Sequence, residues 1–467
     1  MRHDTPSIAE ALSEVFLHHL LGPEAFRSKT GLADFEEQAL REGFELIRHA
    51  MSLALEKLDD HLYRHERPAG CSVHDRKART LLTEVGQVSF RRRAYRNREG
   101  AQFCLLDECL SIPPGSRISP GAFGMVRDDA LCDAYARAGE LLCRHTRASL
   151  SRRAVADILK ESARAIQEQE RRSTYELFAE NKAPEGKNRA DGLCVEADGT
   201  WVSLQREAVP RMEVKAMCAY THKAAAGKRT RREGAVFFAD VLPKDSFWKR
   251  SVARLGGTYS LDALKRVHLG TDGAAWCKAG GDYFPDGVEV IGHLDPWHLK
   301  RAVSSCLDGG DAAWVWRLLG EGQAQAAADA VGLCSKSEKA CALQGYILNN
   351  AGIIGVEGPS MGTIEGDNSR YKDRLAGRRS WSLSGLSAMA TLMSAKAGGM
   401  DMPARSTGQA PRRTKRYPLY SLRNVACSAA DALQSDGSGY EPPSGHIHQK
   451  GTEDGLYLSW VINGRWQ

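Results

Sequence analysis

The sequence predicts a multidomain α+β protein: an N-terminal region of helices and small β-structure, then a domain built on a mixed sheet that carries a helical insertion. Three observations predict it. Apolar residues recur at helical three- and four-residue steps in the first part of the chain. Short apolar runs of period two take over after about residue 190. Between them lies a charged stretch, AENKAPEGKNRADG, with no periodicity of its own. The boundaries expected are 1–66 for an N-terminal helical segment and 67–120 for a small basic β-hairpin region. A helix-turn-helix-like region follows at 121–180, and the mixed-sheet domain at 190–400 with its insertion at about 308–354. Residues 401–467 form a C-terminal tail.

Composition bounds the answer. The chain has 467 residues, of which 42% are hydrophobic and 26% charged, the balance of a chain that folds around a core. Mean hydropathy is −0.41, and no run of ~18 apolar residues suggests a membrane span. The start, MRHDTPSIAEALSEVF, carries acids early and no apolar secretory stretch, so a cytoplasmic setting is expected. The twelve cysteines include no CxxC pair, which argues for free thiols over a zinc finger. Net charge is +6. Its placement says more than its size: residues 75–98 hold eight Lys/Arg against two Asp/Glu, and further clusters are GKRTRRE, RYKDRLAGRR and PRRTKRY. Several separate basic patches suit a long polyanion better than a small one.

The elements follow in order. Leu40, Phe44, Ile47, Met51, Leu55, Leu58 and Leu62 put one amphipathic helix over 35–62. RTLLTEVGQVSFRRRAYRN reads as two short strands around Glu84-Val85-Gly86. From Ala122 to about Thr174 the pattern is helical, with a turn at 146–148. Ser149 or Ser151 stands as the N-cap of a second helix bearing Arg152, Arg153 and Lys160. That arrangement fits a helix-turn-helix whose second helix enters a major groove. After residue 190 come three strands, a helix, a strand ending at Asp272, a connection, a fifth strand GVEVIGHL, and then helices. This order fits a ribonuclease-H-like mixed sheet with helices covering it.

Within that order the acids stand out. Two-metal phosphoryl chemistry needs carboxylates converging on ions roughly 3.5–4 Å apart, and Mg²⁺ prefers hard oxygen ligands. LCVEADGTW drives an apolar strand into Asp198, and VHLGTDGAAW repeats the design at Asp272. Asp-Gly is also a common turn, but two of them ending the first and fourth strands form a pattern. The third acid is expected on a late helix, at Glu365, with Glu357 and Asp367 as rivals. GVEVIGHLDPWHLKRAV adds His293, Asp295 and His298. Zinc would need a tetrahedral donor set that no nearby cysteine completes. Asp295 and His298 are three apart at a helix start and share a face; the plain reading is Asp295 as an N-cap and His298 packed in the core.

Seven ordered blocks then match a known pattern: TLLTEVGQVSFRRRAY, LLDECLSIP, VEADGTWVSLQRE, TDGAAW, LDPWHLKRA, GTIEGDNSRYKDRL and RRSWSLSGLSAM. Through them the chain resembles the ISLre-type family of bacterial insertion-sequence transposases, which carry a DDE triad. Asp-x-x-His between the second acid and the glutamate resembles the signature of mutator-like DDE transposases, which implies Asp295 and His298 as an accessory pair beside the acids. Thr271 departs from the pattern, which has Gly there. The resemblance implies Asp198, Asp272 and Glu365 as catalytic and metal-holding acids for two Mg²⁺ ions, with Mn²⁺ able to substitute. It implies double-stranded DNA as partner, both terminal inverted repeats and target, and a homo-oligomer, dimer or larger. DNA contacts are expected from Arg91, Arg92, Arg93, Arg152, Arg153, Lys228, Arg231, Arg370, Lys372 and Arg374. The alternatives are a DNA-binding protein of the same descent without catalysis, and a nuclease that cuts without joining.

Overall fold

The computed structural model describes residues 31–146, 148, 150–226 and 229–402. It is a multidomain α+β chain, and its compact units divide between Ile158 and Leu159. The expectations for Lys228, Ser149, the PRRTKRY cluster and the tail lie outside the described residues. Among those described, no helix is long and apolar enough to cross a membrane.

In the first unit, α1 (Leu32–His65) lies against a hairpin of β1 (Ser72–Thr83) and β2 (Gly86–Arg96), to which the short β3 (Gln102–Phe103) adds. The strands are longer than the sequence suggests. Antiparallel pairing runs from Thr83↔Gly86 out to Ser72↔Arg96. The outer half of β1 is polar on both faces, so no alternation marks it. Leu58 and Leu62 of α1 meet Leu81, Val88, Phe90 and Tyr95 of the hairpin, and Leu105 and Leu106 of α2 (Leu105–Cys109) close the cluster. The predicted first helix of the helix-turn-helix is three short ones: α3 (Pro120–Cys132), α4 (Tyr135–Leu141) and α5 (Cys143–Thr146). Ser151 Oγ accepts from the Ala154 N–H at 3.2 Å and so caps α6 (Arg152–Phe178).

The second unit holds a five-stranded sheet formed by β4 (Gly192–Ser203), β5 (Arg211–Tyr220), β8 (Val236–Asp240), β9 (Arg266–Thr271) and β10 (Glu289–Leu294). Its order is β10-β9-β4-β5-β8. Strands β4, β9 and β10 run parallel, and β5 is antiparallel to both β4 and β8. Between β5 and β8 lies a two-stranded ribbon, β6 (His222–Ala226) with β7 (Arg229–Glu233). Period two sorts the sheet faces. Leu193, Val195, Ala197, Met217, Ala219, Phe238, Val267 and Leu269 point into one core, where α7 (Lys244–Gly256) packs through Phe247, Trp248, Val252 and Leu255. The stretch between the last strand and the next long helix is helical, as expected. After α8 (Ala275–Lys278) and β10 come α9 (Pro296–Ser304), α10 (Gly309–Gly320), α11 (Ala324–Cys334) and α12 (Glu338–Asn349). They share a separate apolar cluster around Leu299, Val315, Val331 and Ile347. Two helices follow, α13 (Ile364–Leu375) and α14 (Leu383–Ala397).

The sequence places the domain boundary in the charged stretch after residue 178, but the compact units divide inside α6. The reason is buried polar bonding. Gln167 donates to Ser387 and Thr391 of α14. Glu170, 7% exposed, pairs with Arg254 of α7. The Arg254 guanidinium also donates to Phe237 O at 2.7 Å and Ser394 Oγ at 3.0 Å. One buried cation thus ties α6, α7, β8 and α14 together. Removing one partner of such a pair leaves the other charged and unmatched, at a cost of about 3–5 kcal/mol. Arg254→Ala is therefore expected to lower the free energy of unfolding by that amount in chemical denaturation. A loss near zero would mean that Glu170 is not held as an ion.

Candidate active site

The parallel register lines up the acids. Ala197 pairs with Thr271, and Thr271 pairs with Leu294. These are the last rungs on the C-terminal side, and the next residues are Asp198, Asp272 and Asp295. Asp198 was expected to end its strand. Instead β4 runs on to Ser203, because β5 keeps pairing with it as far as Ser203↔Arg211. What ends at Ala197 is only the parallel ladder, so Asp198 sits beside an open sheet edge while remaining fixed backbone.

Each acid is held differently. Asp198 is 3% exposed; its Oδ1 accepts the Gly199 N–H at 2.6 Å and its Oδ2 accepts from Asn368 Nδ2. The Asp272 carboxylate accepts the Ala274 N–H at 2.8 Å, and its backbone carbonyl accepts the Tyr346 hydroxyl at 2.8 Å. Asp295 caps α9 through the Trp297 N–H and also accepts His298 Nδ1 at 2.7 Å. The cap and the accessory pair are therefore one structure. This pairing aims His298 Nε2 at the acids, 3.1 Å from Glu365 Oε1 and 3.9 Å from Asp198 Oδ2. Glu365 comes from the first turn of α13, as expected. Of its rivals, Asp367 turns away to Arg232, at 2.5 and 2.9 Å, and Glu357 is exposed.

Asp198, Asp272, His298 and Asp295 line one cavity of about 230 Å³. Donor atoms of Asp198, His298 and Glu365 lie within 4.8 Å of one another. This differs from expectation in one respect: His298 enters the compact donor set, and Asp272 lies outside it, its carboxylate folded back on its own turn. The set fits a divalent cation. Its oxygens are hard donors, and Glu365 Oε1 is buried without a hydrogen bond, 3.1 Å from His298 Nε2. His293 is not part of it. It bonds His268 at 2.9 Å further back on the same face.

Sequence reasoning missed the residue that holds this arrangement in place. Glu196 is 1% exposed and faces the same side as Asp198, one pleat earlier. Its Oε2 accepts the backbone N–H groups of Gly362, Thr363 and Ile364 at 3.0, 2.6 and 2.9 Å. Its Oε1 accepts the Thr363 and Tyr220 hydroxyls at 2.7 and 2.5 Å. A carboxylate at the unsatisfied N–H groups of a helix start complements both hydrogen bonding and the helix dipole. Here it fixes the turn that carries Glu365. The one sequence signal was an acid inside an otherwise apolar strand, Val-Glu-Ala-Asp. Asn368, fully buried, is the other missed contact.

Several residues expected to meet DNA are placed elsewhere. Arg93 is 9% exposed and pairs with Asp59 and Asp60 at 2.5 and 2.7 Å. Arg92 pairs with Asp107 at 2.9 Å, largely covered. Arg374 is 7% exposed with its guanidinium over the Trp381 ring. These three hold their own units together. Arg91, Arg152, Arg153, Arg231, Arg370 and Lys372 are exposed.

Protons compete for the site. Burial pushes Asp198 up to about 6, with His298 opposing and Asp272 adding to the shift. Burial pulls His298 down, but Asp295, Asp198 and Glu365 outweigh it and hold the imidazole above its ordinary value. Both groups bind protons more tightly folded than unfolded, so each contributes a loss of stability as pH rises. For Asp198 the window runs from the unfolded value, about 3.9, to about 6. Asp198→Asn is expected to raise the melting temperature of the metal-free protein near neutral pH and to match the parent below about pH 4. A variant no more stable at neutral pH would contradict the buried, raised carboxyl. For the clamp, Glu196→Gln replaces an acceptor oxygen with a donor facing other donors, a loss of about 2–3 kcal/mol for bonds to a charged group. Unfolding by denaturant measures it, and an unchanged midpoint would remove Glu196 from this role.

A family model described as an uncharacterised protein family, UPF0236, matches residues 27–333. A UPF0236 protein of Caldanaerobacter subterraneus subsp. tengcongensis is 24% identical over 420 residues, covering 84% of this chain and 86% of its own length. Another from that organism, whose name joins eleven locus labels, is 24% identical over 322 residues, 66% of this chain and 64% of its own. A UPF0236 protein in the vanSb 3′ region of Streptococcus gallolyticus is 22% identical over 394 residues, 79% and 84% respectively.

Proposed function

The chain belongs to the uncharacterised protein family UPF0236, and we propose that it is an ISLre-type DDE transposase of a bacterial insertion sequence. In this reading it binds terminal inverted repeats and catalyses metal-dependent DNA cleavage and strand transfer. One observation carries the reading: Asp198 and Asp272 follow the last rungs of adjoining parallel strands, and α13 brings Glu365 to Asp198. Two others support it. Three strands in antiparallel succession, then a helix, then parallel strands on the far side of the first, is the ribonuclease-H-like order. A relative bearing eleven locus labels in one genome is what a gene that copies itself leaves behind.

Both proposed steps, hydrolysis at the transposon end and attack of the freed 3′-OH on target DNA, are in-line displacements at phosphorus. They call for positioning and charge more than covalent chemistry. Mg²⁺ or Mn²⁺, held by Asp198, Glu365 and His298 with Asp272 joining once its carboxylate leaves the Ala274 N–H, would supply the charge that activates the attacking oxygen and stabilises the leaving one. The chain's own residues do the rest. Asn368 and the Gly199 N–H fix the two oxygens of Asp198. Glu196 fixes the turn bearing Glu365. Asp295 orients His298, whose Nε2 faces Asp198 and Glu365 and would complete their donor set. Arg91, Arg152, Arg153, Arg231, Arg370 and Lys372 are exposed, the last three each within 4 Å of an acid, and would neutralise DNA phosphates, which makes binding salt-dependent. Joining two DNA ends calls for a homo-oligomer, dimer or larger.

Asp198→Ala, Asp272→Ala and Glu365→Ala are each expected to cut strand cleavage by roughly 10⁴-fold, the scale of residues acting as one unit, with the triple variant no worse. DNA binding should change little. The assay is Mg²⁺-dependent cleavage of DNA carrying the element's own ends, with joined products scored separately. Persistent cutting by the triple variant would sink the triad. Cutting without joining by the parent would make it a nuclease.

A further inference from the structure

α9 has two faces with different tasks. Leu299 and Val303 enter the apolar cluster of the neighbouring helices. Trp297, Lys300 and Arg301, at i, i+3 and i+4, share the opposite side, and all three are exposed. Trp297 is 44% exposed. An indole is among the most costly side chains to leave in water, and isolated exposed apolar groups mean little by themselves. This one is not isolated. Its ring stands edge-on to His298 at 5.0 Å, and His298 Nε2 is 3.1 Å from Glu365. The Arg301 guanidinium lies over the indole at 5.2 Å. The helix, PWHLKRAVS, contains no acid.

A half-exposed indole with Arg301 over its ring and Lys300 beside it, one side chain away from a cluster of acids, matches one kind of ligand: a nucleotide whose base is out of the stack. Cations take the phosphates, and the ring takes the face of the base. A paired base in duplex DNA keeps that face covered by its neighbours, so the platform has no use for intact duplex. We propose that Trp297 is a stacking platform for an unpaired DNA base beside the scissile phosphate, with Lys300 and Arg301 holding the adjoining backbone. The position of this subsite rests on the phosphodiester reading above; the binding does not. It gives the site a way to favour DNA whose end is splayed or distorted, and it explains why an indole stands in water beside His298, which lines the polar cavity.

The test uses the full chain without metal and three fluorescent DNAs of one sequence. These are a duplex, the same duplex with one 2-aminopurine opposite an abasic position, and the single strand. The parent is expected to bind the second and third more tightly than the first and to quench 2-aminopurine. Trp297→Ala should lose about tenfold on those two DNAs, the scale of one base stacked on an aromatic ring, while duplex affinity and melting temperature stay near the parent's. Trp297→Phe, which keeps a ring, should retain most of the preference. A parent without preference, or an alanine variant that keeps it, overturns the proposal; the latter would hand the indole to a protein contact. Cleavage with Mg²⁺ is scored apart. A parent that discriminates but never cuts leaves the platform standing and removes the phosphodiester reading. A parent that cuts, with an alanine variant that still discriminates, does the reverse.

Discussion

The candidate site depends on where one ladder of hydrogen bonds stops. Parallel pairing among β4, β9 and β10 ends in a single row at Ala197, Thr271 and Leu294. The residue after each is an aspartate. Side chains in one row of a parallel sheet lie on one face, so the acids are neighbours by register, although far apart in sequence. Strand β5 then extends β4 past that row, which gives Asp198 a rigid backbone at an otherwise open edge. A slip of one residue in any of these strands would turn its acid into the apolar core.

Such a cluster is unfavourable by itself. Buried carboxylates repel one another and lose hydration, and the structure offsets this with hydrogen-bond donors, to which His298 and Lys372 add opposing charge. Gly199 and Asn368 serve Asp198, Ala274 serves Asp272, and Trp297 and His298 serve Asp295. Glu196 is the strongest case, with five donors on two oxygens. The helix bearing Glu365 is thereby bound to the strand bearing Asp198 through that strand's own second acid. Arg232 and Asp367 hold the same helix from the ribbon side.

The basic clusters teach a different lesson. FRRRAY reads as one patch, yet its three arginines meet different surroundings along β2, even Arg91 and Arg93, which share a face of the strand. Arg91 faces water, while Arg93 is buried against Asp59 and Asp60. Arg374 packs on Trp381. A run of charge in sequence says nothing of which members have acids waiting for them in the fold. Exposure and pairing decide which cations are left for a polyanion.

Several features were set by the sequence alone, because they are local. Helical spacing marked α1, and the amphipathic pattern marked the helices between β10 and α13. Alternation marked the sheet strands, and Asp-Gly after an apolar run marked two of the acids. Glu365 and the Asp295–His298 pair were legible from their place at helix starts. Tertiary structure decided everything that depends on partners remote in sequence. It put His298 among the metal-fit donors and folded Asp272 back on its turn. It extended β4 past Asp198, tied α6 into the second unit through Glu170, and made Glu196 the clamp of a helix more than 160 residues away. The physical reason is the same in each case: periodicity records which way a side chain points, and only the packed chain supplies what it points at.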